Sequence, residues 1–312
     1  MEVPRTSPIT DLLDDVFYKS SIEDMRKFTF NQTRSVKSWL LFSDYYFEDE
    51  RPNKVITFTA MPYFSDFLEL QSLIKSVAPR DVKKTRTINE DFIEIINSLP
   101  IMNVVFSFEQ KKYFLWDSND EFKQEIFDYL ERLKAYVSYW NRTEPERKKK
   151  LAHISKNINC LESLLRRGKK QKLIPPMYLV ALLGGYVGSL LCRETSLSSL
   201  VWMSDRDSTN EICHNLIRDL FQITLIDIAK KNIQFSFTTS NSSSDEWYEE
   251  MTRIPDYLTG AISSFDFEKN LIPKDKFSKM FELHFAYNIK NSFLYRFIAD
   301  DERIRLQRWL IA

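Results

Sequence analysis

SWLLFSDYYFEDERPNKVITFTAMPY, residues 38–63, decides how the chain is read. SWLLFSDYYF (38–47) is apolar and aromatic and carries Asp44 near its end; KVITFTAMPY (54–63) is rich in β-branched and aromatic residues. Both compositions suit a pleated, buried strand. EDERPN between them is a polar turn, so the two strands are expected to pair antiparallel, with Pro62 ending the second.

Before this hairpin, residues 1–35 show no strand pattern. Ser7-Pro8-Ile9-Thr10-Asp11 ahead of Leu12-Leu13 reads as a helix start, and a second short helix can begin at Ser21, so 1–35 is an N-terminal arm. After the hairpin, helical spacing of apolar residues over 65–77 and 89–98 precedes a third strand, IMNVVFSF (101–108), and KYFLW (112–116) either pairs with it or begins a loop. Helix is expected from Glu121 to about Gly168, broken at TEPERKKK by Pro145. An apolar helix over 176–192 follows.

SLVWM (199–203) is the fourth strand. A helix capped at Ser208 or Thr209 runs to about Lys231, and IQFSFTT (233–239) is the fifth strand. A helix carrying Met251, Ile254, Tyr257 and Leu258, interrupted by Pro255, comes next, and 273–312 reads as helical. Strands joined by helices imply right-handed crossovers and a mostly parallel sheet, with the opening hairpin as an antiparallel edge. The expected class is α/β, a mixed sheet of about five strands flanked by helices.

Composition narrows the chemistry. The 312 residues carry 44 Lys and Arg against 44 Asp and Glu, so any pull on a polyanion must be local. Five glycines leave little room for Gly-rich phosphate loops, and no dinucleotide fingerprint, P-loop or Ser/His/Asp motif is present. Three histidines without metal-binding spacing argue against zinc. Cys160, Cys192 and Cys213, odd in number and without a CxxC pair, suit a reduced, cytoplasmic chain with no leader segment. MYLVALLGGYVGSLL (177–191) falls short of the roughly 20 residues a membrane span needs. It reads as a buried core helix, in which Gly184, Gly185 and Gly188 allow another backbone close, and no membrane partner is expected.

One local charge excess stands out. Residues 142–172 hold eleven Lys and Arg against three Glu. Arg147, Lys148, Lys149 and Lys150 stand at one end of a helix, and Arg166, Arg167, Lys169, Lys170 and Lys172 at the other. Such a face can neutralise phosphates, independently of base sequence, or be a solvated basic surface.

Acids stand where open α/β sheets place their sites, outside the carboxyl ends of strands. Asp44 lies near the end of strand 1 and Asp205 just past strand 4. Asp256 on the later helix can return to the same rim, with Asp207 or Glu211 as alternates. Gathered carboxylates repel unless a cation neutralises them, and hard oxygen donors suit Mg²⁺ or Mn²⁺. Each acid also has a local use: Asp44 at turn amides, Asp207 as an N-cap, Asp256 as the cap of a half-helix.

The order of these elements and acids resembles the RNase H-like (integrase-like) nuclease superfamily. Within it the chain looks most like a bacterial family described as domain of unknown function 3800. WLLFSDYYF with KVITFTAM, SLVWMSDRD and RIPDYLTGAISSF (253–265) carry the likeness, which covers roughly 36–265. Pro255-Asp256-Tyr257-Leu258-Thr259-Gly260-Ala261 resembles the family's closing motif, whereas Tyr45-Tyr46-Phe47 stands where the family has Glu-Ser-Gly.

The resemblance implies an RNase H-like core over 36–265 with a helical basic insertion at 117–192 and a helical C-terminal extension at 266–312. It also implies metal-dependent cleavage of DNA or RNA through Asp44, Asp205 and Asp256, in bacterial defence or a mobile element. The alternative is a degenerate member that binds nucleic acid or a protein, with the Phe-rich C-terminal region as a protein or homodimer interface.

Overall fold

The computed structural model describes residues 7–63, 66–109, 111, 113–205, 208–239, 248–272, 275–286, 290–300 and 303–311. The strands are β1 (Ser38–Tyr46), β2 (Asn53–Pro62), β3 (Met102–Glu109), β4 (Ser199–Ser204), β5 (Gln234–Thr239), β6 (Ser292–Asp300) and β7 (Arg303–Trp309). The longer helices are α1 (Pro8–Ser20), α2 (Phe67–Val77), α3 (Glu90–Ser98), α4 (Asn119–Thr143), α5 (Lys148–Arg166), α6 (Ile174–Glu194), α7 (Leu216–Ala229) and α8 (Glu249–Ser264). The chain divides into two compact units. One comprises residues 1–13, 111–189 and 207–231; the other comprises 14–110, 190–206 and 232–312.

The second unit holds the sheet, in the order β5-β4-β1-β2-β3-β6-β7. β1 runs parallel to β4 and β4 to β5; β2 is antiparallel to both β1 and β3; β6 is parallel to β3 and antiparallel to β7. The α/β class and the opening hairpin are as expected, but the hairpin is central rather than an edge. All ten residues of β2 are buried, as expected of a central strand covered on both faces.

Alternation along β1 sorts its side chains between the two faces. Leu40 and Phe42 join Val55, Val105 and Met203 in the core beneath Ile254, Leu258 and Ala261 of α8. On the other face, Trp202 Nε1 donates to Ser43 Oγ at 2.8 Å and its ring meets Phe237 at 4.5 Å.

Among the described residues seven strands replace the expected five, and 273–312 is not simply helical, since it contains β6 and β7. Buried Phe293, Leu294, Tyr295 and Phe297 hide any period-two pattern, because β6 is covered on both faces. Phe277, Phe281 and Phe285 are also buried in this unit's core, so the phenyl-rich region is core rather than a free interface. The N-terminal arm is likewise packed in. Phe17 stacks on Tyr295 at 4.2 Å, Tyr295 Oη donates to Ser21 Oγ at 2.6 Å, and Arg308 pairs with Asp24 at 2.7 Å. Residues 113–116 form a turn with a Tyr113–Trp116 bridge. α8 continues through Pro255 rather than breaking there.

The first unit is helical. α4 starts at Ser118, whose Oγ accepts the Glu121 N–H at 3.1 Å while the Glu121 carboxylate accepts the Asp117 N–H. Tyr136 Oη donates to buried Asp227 at 2.5 Å, joining α4 to α7. The apolar helix α6 is long and apolar enough to cross a membrane, but its whole apolar window is buried inside the protein. A Cβ on Gly185 would stand 2.8 Å from the Phe221 carbonyl, so glycine does permit the close helix approach expected there.

The helix expected from Ser208 begins only at Leu216. Before it, Cys213, His214 and Asn215 all have left-handed backbone. Cys213 is disulfide-bonded to Cys160 on α5, with Cα atoms 5.8 Å apart, and Cys192 is buried outside this bond. This overturns the reading of three reduced thiols. The bonded pair is 53 residues apart in sequence, and only the packing of α5 against the turn before α7 brings it together.

Candidate active site at the carboxyl ends of β1 and β4

The β1–β4 ladder pairs Phe42 with Met203 and Ser43 with Ser204. One step further along both strands come Asp44 and Asp205. Neighbouring strands are roughly 4.8 Å apart, so the register sets these two residues side by side. Parity puts Asp44 on the face of Leu40 and Phe42, and that face is covered by α8. Asp256 projects from α8 into the same place. Asp44, Asp205 and Asp256 line one cleft of 160 Å³, together with Asp81 from the loop between α2 and α3.

Neighbouring residues hold the floor in place. Thr259 Oγ1 donates to Thr57 Oγ1 at 2.8 Å and lies 3.4 Å from the Asp44 carbonyl. Asp256 Oδ2 accepts the Val82 N–H at 2.8 Å. Tyr45-Tyr46-Phe47 also has a structural use. The Tyr45 hydroxyl is 2.5 Å from Ser204 Oγ and 3.0 Å from Ser43 Oγ, tying the β1 and β4 ends together. Arg51 stacks 4.2 Å over buried Tyr46 and donates to Ser263 Oγ at 2.7 Å.

The electrostatics reflect buried carboxyls that also feel one another's charge. Burial, then the charges of Asp256 and Asp205, push the Asp44 carboxyl well above the usual range, against the opposing Thr259 hydroxyl and Lys83. Burial pushes Asp256 up to about 6; Asp81 and Asp205 add to this, while the Val82 amide and Lys83 oppose it. This donor set is hard oxygen, and its mutual repulsion is what a divalent cation would relieve. Among the described residues, no group of three or more His, Cys, Asp or Glu is already arranged to hold a metal ion. The acids share a cleft without being drawn into a closed ligand shell.

No family model, curated protein or solved structure matches the chain.

Of the alternate acids, Asp207 lies outside the described residues, and exposed Glu211 is not among the residues lining the cleft. The nine basic residues all belong to the helical unit rather than the unit that holds the cleft. Three are engaged: Arg147 with Glu144 at 2.8 Å, Arg166 with Glu162 at 2.7 Å, and Lys150 with Gln222 at 2.8 Å. Lys148, Lys149, Arg167, Lys169, Lys170 and Lys172 are exposed.

Sequence reasoning missed Asp81 and the cations Arg51, Lys83 and Arg253, which also line the cleft. PRDVKKTR (79–86) has no periodicity and reads as a linker; its signal is a lone apolar Val82 among charges. Val82 packs on α8 at Gly260, where an added Cβ would stand 2.9 Å from Val82 Cγ1. Gly260→Ala is therefore expected to push the loop off α8 and to cost roughly 1–2 kcal/mol of stability, the scale of overpacking a core. Denaturant unfolding checks this; an unchanged midpoint would mean that the contact is soft.

Proposed function

We propose that this chain is a divalent-metal-dependent phosphodiester hydrolase of RNase H-like fold, acting on DNA or RNA. The register of parallel β1 and β4, which sets Asp44 beside Asp205 under Asp256 on α8, carries the reading. The order of β1 to β5, with β2 antiparallel to its neighbours, supports the fold assignment. Asp44, Asp205 and Asp256 would hold Mg²⁺ or Mn²⁺. When bound, the ion supplies Lewis acidity at the phosphoryl group.

The chain's own groups orient and balance charge. Thr259 and the Val82 amide hold the Asp44 and Asp256 ends of the cleft, and Lys83 offsets negative charge at both acids. Calorimetric titration of Mn²⁺ into the wild type and into Asp205→Asn tests the site. Saturable binding that is lost in the variant is expected; no binding to the wild type at millimolar metal would remove the hydrolase reading.

A second reading, a non-catalytic nucleic-acid or protein binder of the same fold, is favoured by two observations. The acids form no ready ligand group among the described residues, and Tyr45-Tyr46-Phe47 replaces the family's Glu-Ser-Gly. If the chain acts on or binds nucleic acid, the basic helix would contact phosphates. Charge reversal at Lys148–Lys150 together with Arg166–Lys172 is expected to lower retention of nucleic acid at low salt. Unchanged retention on a filter-binding assay would remove that role.

A further inference from the structure

The loop over residues 79–86 is tied down by buried contacts, while three of its four cations, Arg80, Lys83 and Arg86, are left over, and the first two line clefts. Val82 is buried, its N–H donates to Asp256 Oδ2 at 2.8 Å, and its carbonyl accepts from Lys276 Nζ at 2.7 Å. Tyr257 Oη donates to the Arg80 carbonyl at 2.9 Å, and Arg253 Nη1 donates to the Ala78 carbonyl. Lys84 is paired with Asp81 at 3.2 Å. These ties take up the backbone, Val82 and Lys84. The side chains of Arg80 and Lys83 are exposed, and neither forms a hydrogen bond or ion pair among the described residues.

The two stand in adjoining clefts. Lys83 lines the acid cleft, Arg80 lines the neighbouring one of 480 Å³, and both clefts share Asp81, Asp205, Thr252 and Arg253. A ligand lying along both clefts meets a cation in each, with carboxylates between. A free phosphate or a mononucleotide fills only one; a strand with a phosphate at every step can occupy both. Arginine and lysine on a preorganised backbone suit phosphodiester oxygens and carry no base information.

We propose that Arg80 and Lys83 grip successive phosphates of a nucleic acid strand across the two clefts, making the 79–86 loop the element that seats the substrate over the acids. This deepens the phosphodiester reading above and rests on it for the choice of ligand, but not on catalysis.

The test is fluorescence polarisation of end-labelled DNA and RNA oligonucleotides, with Ca²⁺ and separately with EDTA, for wild type, Arg80→Ala, Lys83→Ala and the double variant. The double variant is expected to bind at least roughly tenfold more weakly at low salt. Its slope of log affinity against log salt is expected to flatten by about 1.4 for a single strand or about 1.8 for a duplex, two phosphate contacts' worth. The melting temperature of Arg80→Ala should not move, because its side chain is exposed, and any loss in Lys83→Ala from unbalanced carboxylate charge should be removed near pH 5. Inorganic phosphate is expected to compete only weakly. Equal affinity of wild type and double variant in both buffers would overturn the proposal, as would full competition by inorganic phosphate at concentrations matching the oligonucleotide. Absence of cleavage or of Mn²⁺ binding would remove the hydrolase reading and leave this result standing.

Discussion

Asp205→Asn is expected to abolish Mn²⁺-dependent cleavage of a nucleic acid substrate, lowering the rate by more than roughly 100-fold, the upper scale for loss of an outer-shell partner at a metal site. Asp205 is the informative position. It stands one step beyond the last ladder pair of β4 and is exposed, so its replacement leaves the packing of the sheet alone. Asn keeps the shape and removes the charge that the site needs. Asp81→Asn is the companion control. Asp81 lines the same cleft but is paired with Lys84, so its loss should cost less. Initial rates on a labelled oligonucleotide, with melting curves alongside, check the expectation. Full activity in Asp205→Asn would mean that the β1–β4 register places two acids together for no catalytic reason.

The metal-free protein should lose stability as pH rises from 5 to 7, the opposite of ordinary acid denaturation. The cause is the pair of carboxyls whose folded forms hold their protons too tightly. Asp256 is held at about 6 against an ordinary 3.8, and burial contributes most. A group raised in the folded state contributes stability that is fully present below its unfolded value, near 4, and is lost as pH rises through about 6. The difference amounts to about 3 kcal/mol between the two limits. Asp44 is raised well above its ordinary range and acts in the same direction. Glu162 and Glu250 are shifted downward, and their effect falls below pH 5, outside this window. Burial holds the His284 ring down to about 3, so that group gains stability as pH rises to its unfolded value near 6.5 and opposes the two acids; the acids' share is therefore read as the difference between wild type and Asp256→Asn.

Chemical denaturation at several pH values in EDTA checks this, and Mn²⁺ should restore most of what is lost at pH 7. Asp256→Asn should flatten the profile while its amide oxygen still accepts the Val82 N–H. An unaltered slope in Asp256→Asn would show that the buried carboxyl does not hold its proton more tightly in the folded protein.

Much of the sheet unit was legible from local pattern. The hairpin, β3, β4 and β5 declare themselves through strand-forming residues between polar turns, and Asp44 and Asp205 are visible as acids that end apolar runs. β6 was not legible: its side chains are buried on consecutive positions, and the preceding helical spacing of 277–286 carries over into it. The left-handed turn at Cys213–Asn215 gave no warning either, because residues with side chains rarely adopt that backbone, and the disulfide to Cys160 joins positions 53 apart.

What the sequence by itself determined is the kind of β1 to β5 and of most helices between them, and the rank of Asp44, Asp205 and Asp256 along the chain. Both follow from side-chain period and from short-range turn chemistry. Only the tertiary structure decided that β1 lies beside β4, and that Asp256 descends from α8 onto the rim they share. It alone turned an unpatterned linker into the basic lip of the cleft. Strand pairing and helix docking depend on complementary surfaces brought together from distant segments, and no local window of residues contains both halves of such a contact.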